Sequence, residues 1–464
     1  MSLRMARASL LLVFLLLVAC GAEDVRPVYP VTRVVVVGAG MAGLTTAHAL
    51  DAAGYDVVVL EARNRIGGRI HTVDVGGVAI DEGAAWLHST GNNPLVDVAR
   101  AYGLSTIPDD VDGIARAVST THGVYSTAEI DAAFDRSDAF FPRLPALRRS
   151  LGPLAPVADG IDAYVAGLGL DGRSSTLTRG MLSRSYFELD YAAPLALQSL
   201  RWADEDADVV GGDRLIVGGY RGLVDKLAEG LDVRLGEVVD RIAYDPTGVV
   251  VHSTSGDVSA SHVVVTVPLG VLRANAIAFD PPLPTEKTAA IARLDLSNLE
   301  KVVLRFDTAF WTEIADDTGL VLSDVEGEMP GFFDLTAEAG APTLVVLYGG
   351  AYARTAQATL SDAQLVARAL ANLETLLGRA VPTPTATHVT HWTTDPFARG
   401  AYSYVPVGAS PDDMRLYGQP VADRVFFAGE ATSFSVSATV HAAFLSGVDA
   451  ARRLGVSNPR IPGY

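Results

Sequence analysis

The sequence predicts an α/β fold in which a Rossmann-type βαβ unit is joined to a second region of mixed sheet plus helices. Three observations carry this. Val34-Val35-Val36-Val37 is a β-branched run of the kind buried on both faces of a parallel sheet. Glycines follow it at once, and a helix-forming stretch over 41 to 53 ends at Gly54. Asp56 to Glu61 (DVVVLE) then repeats the strand signal.

Between about 130 and 200 the pattern turns helical, with Ala- and Leu-rich segments broken by Gly and Pro, as in an inserted helical region. From 233 to 267, VVVHSTSG and SHVVVTVPLG flank a turn-rich stretch and predict a hairpin followed by a buried strand. KVVLRF and PTLVVLYGG, between 301 and 350, alternate with turns, and 361 to 378 predicts an amphipathic helix. The last strand is Arg424 to Ala428, leading through Gly429 into a final helix that ends near Leu454. The chain carries no internal repeat and no low-complexity segment.

With 464 residues, 49% hydrophobic and 19% charged, the chain can bury a large core in more than one unit. The 36 Lys and Arg against 54 Asp and Glu give a formal charge of -18, a field that repels nucleic-acid phosphates and admits small cations. Nucleic acid is therefore not an expected partner, while a cationic amine is permitted.

Residues 1 to 20 read as a signal peptide: Arg4 and Arg7 precede an apolar stretch from Leu10 to Ala19 that Cys20 closes. A membrane-spanning helix needs about 20 apolar residues, more than this stretch supplies. Leu17-Val18-Ala19-Cys20 resembles the lipobox of bacterial lipoproteins, which implies export, lipidation of Cys20 and a membrane anchor at the cell envelope, with 21 to 30 as a short tether. A plain secretory signal in which Cys20 is incidental remains the alternative. Cys20 is the sole cysteine, so no disulfide and no cysteine-based catalysis or metal site is expected.

Gly38-Ala39-Gly40-Met41-Ala42-Gly43 is a G-x-G-x-x-G fingerprint placed between a strand and a helix, where backbone amides and the helix dipole hold a pyrophosphate. Glu61 ends the next strand 23 residues after Gly38, in position to accept from ribose hydroxyls and to repel a 2′-phosphate. The fingerprint alone does not separate FAD from NAD. In the following EARNRIGGRI (61 to 70), Arg63 and Arg69 offer cationic forks to phosphate oxygens, and Gly67 and Gly68 allow close backbone approach.

This stretch, with Glu61-Ala62-Arg63, resembles the FAD-binding signature of the flavin amine oxidases, and the similarity runs from about residue 32 to 454. EGAAWLHSTGNNPL (82 to 95) is similar to the flavin-contacting segment of polyamine oxidases, which implies Gly83, Ala84, Ala85 and Trp86 at the cofactor. VVVTVPLGVLRANAIAFDPPLPTEK (263 to 287) is similar to their long central signature, implying Thr266 and Pro268, with Val239 upstream, as further cofactor contacts. LSNLEKVVLRFDTAFW (296 to 311) resembles the segment carrying the active-site lysine of polyamine oxidases and lysine-specific histone demethylases. Lys301 is implied to be that lysine, holding a water near flavin N5 and, as a cation, favouring reoxidation by oxygen. HWTTDPFARGAYSYVPVG (391 to 408) implies Trp392 and Phe397 at the flavin and Tyr402 as a wall guiding the amine. RVFFAGEATSFSVSATVHAAFLSGVDAA implies cofactor contacts from Gly429 and Glu430, and from Ala438, Thr439 and Val440 at the N-terminus of the last helix.

Departures narrow the resemblance. Monoamine oxidases tether flavin through a cysteine in this final segment, where Val436 and Ser437 stand here, so FAD is expected to bind non-covalently. Thr439 also stands near the second tyrosine of their aromatic pair. The long coiled-coil insertion of the demethylases has no counterpart, which leaves polyamine oxidases as the nearest pattern. The family's discontinuous layout implies a FAD-binding domain from 31 to 117, 215 to 290 and 385 to 464, and a substrate-binding domain from 118 to 214 and 291 to 384.

The acids in FELDY and WADEDAD, namely Glu188, Asp190, Asp204, Glu205 and Asp206, resemble the family's substrate wall; a solvated acidic face is the competing reading. His88 matches a histidine at the channel mouth of polyamine oxidases, against a satisfied core histidine. The implied reaction is hydride transfer from the amine α-carbon to flavin, hydrolysis of the imine, and reoxidation by O2 with release of hydrogen peroxide. L-amino-acid or monoamine oxidase activity, and a flavin-binding surface lipoprotein without turnover, stay open as alternatives.

Overall fold

The computed structural model describes residues 32–109, 113–203, 210–314, 318–323, 325 and 327–464. A five-stranded parallel sheet runs in the order Asp232–Leu235, Asp56–Glu61, Arg33–Val37, His262–Val265, Val425–Phe427. Successive side chains of a strand point to opposite faces, which is why the valine run is unbroken. Val34 and Val36 pack with Leu44, Leu50, Phe444 and Val448 on one face, and Val35 and Val37 pack with Ile242, Val251, Leu272 and Met414 on the other. Each such buried side chain contributes roughly 1.5–3 kcal/mol.

The first face is covered by the helices Met41–Asp51 and Val440–Arg453. They approach closely at Gly447, where a Cβ would lie 2.5 Å from the Ala42 carbonyl oxygen, and Thr46 Oγ1 donates to the Gly447 carbonyl at 3.2 Å. The second face is covered by a sheet ordered Gly256–Ala260, Gly248–Ser253, Val239–Asp245, Ala278–Asp280, whose first three strands form an antiparallel meander where the sequence predicts a hairpin.

A seven-stranded mixed sheet runs in the order Ala386–Val389, Leu299–Arg305, Thr343–Gly349, Gly331–Asp334, Thr318–Leu322, Ile114–Ser119, Gly123–Val124. Val302, Leu304, Leu344 and Val346 on one face meet Leu365, Ala369, Leu373 and Leu376 of the helix Asp362–Leu377, which starts at a Ser361–Gln364 capping box. Val303, Val345 and Leu347 on the other face meet Val75, Val78 and Ile80 of the hairpin Thr72–Asp74/Ala79–Asp81. The sheet takes Ala386–Val389 and Ile114–Ser119, both of which lie in or reach into stretches that the sequence assigned to the cofactor region.

The helical region over 127–188 holds its own core around Phe140, Leu144, Ile161, Leu182 and Phe187. It ends in a π-helical turn, Leu182–Glu188, whose extra residue per turn changes the side-chain phase, and Leu189, Asp190 and Tyr191 beyond it line a cavity. Among the described residues no helix is long and apolar enough to cross a membrane.

Candidate active site

A cavity of about 840 Å³ runs from the C-terminal ends of the parallel strands to the face of the mixed sheet. One end is a cradle of backbone. Gly38 adopts φ +106°, and a Cβ on Gly43 would lie 1.9 Å from the Gly38 carbonyl oxygen, so the turn into the first helix admits no side chain. Gly67 donates its N–H to the Ala39 carbonyl at 2.8 Å and bridges to Gly40, bracing the second glycine pair against the first. Gly68, Met41, Ala42 and Ala62 line the same end. Glu61 is buried and accepts from the Ala39 amide at 2.7 Å and the Arg63 amide at 2.9 Å, one bond per oxygen, which leaves lone pairs for a ribose. Val239, Thr266 and Pro268 complete the wall. A glycine cradle facing a helix N-terminus, with an acid at the ribose position, fits the nucleotide half of FAD.

The two cationic forks are engaged differently from the sequence expectation. Arg63 makes a bidentate pair with Asp395 (2.6 and 2.7 Å) and lies 5.5 Å from the centre of the Phe397 ring. Burial would raise the Asp395 carboxyl, but Arg63 overrides it and holds it below its ordinary value. Arg69 donates to the Ala401 carbonyl at 2.7 Å and to Glu430 at 2.9 Å. Both arginines line the cavity but are tied to protein acceptors, so the backbone amides at the glycine turn are the preformed phosphate donors. Glu430 also accepts from Ser403 Oγ (2.6 Å) and the Ala438 amide (3.2 Å), setting Ala438 at φ +66° ahead of the last helix. Thr439 caps that helix by accepting from the Ala442 amide at 3.1 Å, and Val440 begins it at the cavity wall beside Gly429.

At the other end Lys301, on Leu299–Arg305, donates from Nζ to the carbonyls of Asp81 (2.9 Å) and Gly83 (2.7 Å) and lies 5.3 Å from the Trp86 ring centre. Burial draws its ammonium down to about 8 against the opposing pull of Asp81 and Glu82. Trp392 Nε1 donates to the Glu82 carbonyl between those two acceptors at 3.1 Å. A Cβ on Gly83 would lie 1.8 Å from the Arg69 carbonyl oxygen, so the segment must carry glycine there; Ala84 and Ala85 follow it along the wall. Tyr402 donates to the Leu189 carbonyl at 3.2 Å, and burial pushes its phenol up, so it stays neutral. Trp86, Leu299, Phe333, Leu347 and Tyr402 give this end aromatic and aliphatic walls.

His88 is not a core histidine: its side chain is 48% exposed at the mouth, stacked beside Trp86 and 2.6 Å from Asp213. Asp213, Asp109 (which accepts from Trp86 Nε1) and the exposed Asp190 gather negative charge around it.

Residues 41–455 match the family of flavin containing amine oxidoreductases. The chain belongs to that family. It is 34% identical over 436 residues to polyamine oxidase 4 of Oryza sativa subsp. japonica, covering 90% of this chain and 87% of that protein. It is 35% identical over 452 residues to lysine-specific histone demethylase 1 homolog 1 of Arabidopsis thaliana, covering 92% of this chain and spanning about half (53%) of that longer protein. Wild-type putrescine oxidase bound to putrescine has the same fold, with a TM-score of 0.74 at 24% identity over 91% of this chain and 98% of that one. This oxidoreductase is therefore a flavin-dependent enzyme acting on amines.

The fold corrects one substrate assignment in this oxidoreductase. Glu188 does not line the cavity; it is buried, pairs with Arg184 at 3.2 Å and accepts from the Gly327 amide at 3.0 Å. The π turn directs Glu188 into the protein and Asp190, two residues on, to the opening. Asp204, Glu205 and Asp206 lie outside the described residues. No local motif marks Asp109 and Asp213, which are 104 positions apart (213 − 109) and meet because Thr106–Asp109 pairs with Asp213–Ile216. Asp395, the partner of Arg63, lies within the aromatic segment 391 to 408.

Proposed function

We propose that this oxidoreductase is a polyamine oxidase that holds FAD non-covalently. The observation that carries the reading is a single cavity with a dinucleotide cradle at one end and, at the other, a buried lysine, aromatic walls and a mouth bearing Asp109, Asp190 and Asp213. The polyamine oxidases among its relatives support the substrate class. Non-covalent binding is supported by Val436 and Ser437 at the flavin-facing segment and by Cys20 being the sole cysteine.

When bound, FAD would take a hydride from the amine α-carbon and pass the electrons to O2, so that amine, O2 and water become aldehyde, shortened amine and hydrogen peroxide. Trp86, Tyr402 and Phe333 exclude water and align the methylene chain. The carboxylates at the mouth hold distal ammonium groups, and His88 orients Asp213 among them. Lys301 gives two of its three N–H bonds to backbone carbonyls, which leaves the third for a water or an oxygen species in the cavity.

The test is peroxide release by protein lacking residues 1 to 20 against spermine, spermidine, their acetylated forms, benzylamine and L-amino acids. Turnover of polyamines supports the reading. Turnover confined to monoamines or L-amino acids refutes the substrate class and leaves the family intact. The address is part of the proposal: the Leu17–Cys20 motif supports lipidation at the cell envelope, checked by labelled-palmitate incorporation that Cys20→Ser abolishes.

A further inference from the structure

Glu82 sits where two parts of the fold meet. The hairpin Thr72–Asp74/Ala79–Asp81 is prolonged by the Glu82 amide donating to the His71 carbonyl at 2.9 Å, so His71 and Glu82 face each other at its open end. One carboxylate oxygen of Glu82 meets Nδ1 of His71. The other meets Nε2 of His388, on the edge strand Ala386–Val389 of the seven-stranded sheet. That edge strand pairs with Leu299–Arg305, the strand carrying Lys301, with Val303 opposite His388. The three carbonyls of residues 81 to 83 all accept from the active site, those of Asp81 and Gly83 from Lys301 Nζ and that of Glu82 from Trp392 Nε1.

We propose that Glu82 is a positioning residue for Lys301: gripped by His71 and His388, its carboxylate ties the hairpin to the lysine-bearing sheet and, beside Asp81, adds negative charge that favours the ammonium. This rests on the reading of Lys301 as the cation that assists oxygen. Without the tie, the hairpin still packs on the sheet through Val75, Val78 and Ile80, but its 81–83 end loses its polar clamp, and the two carbonyls that accept from the ammonium are held less firmly. Burial alone would raise the Glu82 carboxyl, yet the two imidazoles hold it at about 2, so it stays anionic wherever the enzyme works. The other charges facing the cluster are Lys301, Arg65 and Asp81. Asp81 shares the electrostatic pull on Lys301 but not the tie: burial raises its carboxyl, and that carboxyl is directed to Thr72 and to the Tyr220 amide at 3.0 Å, not to the sheet.

The test uses photochemically reduced, FAD-loaded enzyme mixed with oxygenated buffer, so reoxidation is read from flavin absorbance with no substrate present. The result therefore does not depend on which amine is oxidised. Removing an adjacent anion lowers the proton affinity of a buried ammonium, so Glu82→Gln should move the alkaline limb of the reoxidation profile down by roughly 0.5–1 pH unit and slow reoxidation about 5-fold at pH 8. Glu82→Asp, which keeps the charge, should restore the limb. An unchanged limb in Glu82→Gln, with only a lower melting temperature, overturns the proposal and leaves Glu82 a structural strut. If Glu82→Gln fails to retain FAD, His71→Gln/His388→Gln gives the same decision. The tie is then cut while the carboxylate stays anionic at pH 8, so slower reoxidation at that pH supports the proposal and an unchanged rate overturns it.

Discussion

Asn93 determines which nitrogen of His441 carries the proton. The Asn93 carbonyl oxygen accepts from the Leu95 amide at 2.9 Å, so its amide nitrogen must face the other way, where it donates to the His88 carbonyl at 2.8 Å and to His441 Nδ1 at 3.3 Å. Nδ1 of His441 is thus an acceptor, and the ring is a neutral donor through Nε2 at the cavity wall.

That neutrality has a pH signature. Burial, with His88 nearby, lowers His441 from 6.5 to about 4. A histidine with a depressed folded value stays neutral in the fold while the unfolded chain takes up a proton, so stability present above pH 6.5 is lost as pH falls from 6.5 toward 4. Denaturant titrations at pH 7 and pH 4.5 should show a loss of roughly 2–3 kcal/mol attributable to this group, absent in His441→Gln. An equal loss in the variant would assign the acid sensitivity elsewhere.

Gly43→Ala should weaken cofactor retention, because its Cβ would meet the backbone oxygen of Gly38 at 1.9 Å, which no rotamer relieves. We expect FAD affinity to fall about 30-fold or more, equivalent to roughly 2 kcal/mol, with the flavin-to-protein absorbance ratio of the purified enzyme as readout.

Glu188→Gln should lower the melting temperature while leaving the KM for every amine within about two-fold, since breaking a buried ion pair costs roughly 3 kcal/mol and Glu188 does not reach the cavity. A KM that rises selectively for polyamines would return Glu188 to the substrate site.

Asp213→Asn and Asp190→Asn should each raise the KM for spermine about 5- to 10-fold, leave benzylamine unaffected, and flatten the salt dependence of spermine oxidation. Equal effects on both amines would mean that these acids shape the mouth rather than bind a distal cation.

The parts of the fold that were legible in the sequence are those held by local chemistry. The valines of Arg33–Val37, the glycine turn and the capped helix Asp362–Leu377 each announce themselves within a dozen residues. Lys301 was legible through its flanking motif alone. The mouth was not, because Asp109 and Asp213 become neighbours through strand pairing, and because whether Glu188 or Asp190 faces the opening depends on how many residues one turn takes. Arg63 and Arg69 stand out in a local motif and line the cavity, but their partners Asp395 and Glu430 lie 332 and 361 positions away.

The contact at Gly447 has a consequence for the order of assembly. The first and last helices of the described chain close on each other there, and the strand Val425–Phe427 forms an edge of the sheet whose opening motif is Gly38–Gly43. The cradle therefore lacks one wall until the final forty residues are in place. A chain threaded through a membrane as an extended polymer would emerge with its binding site unbuilt, and flavin would have to be captured on the far side. A chain carried across already folded would bring its flavin with it.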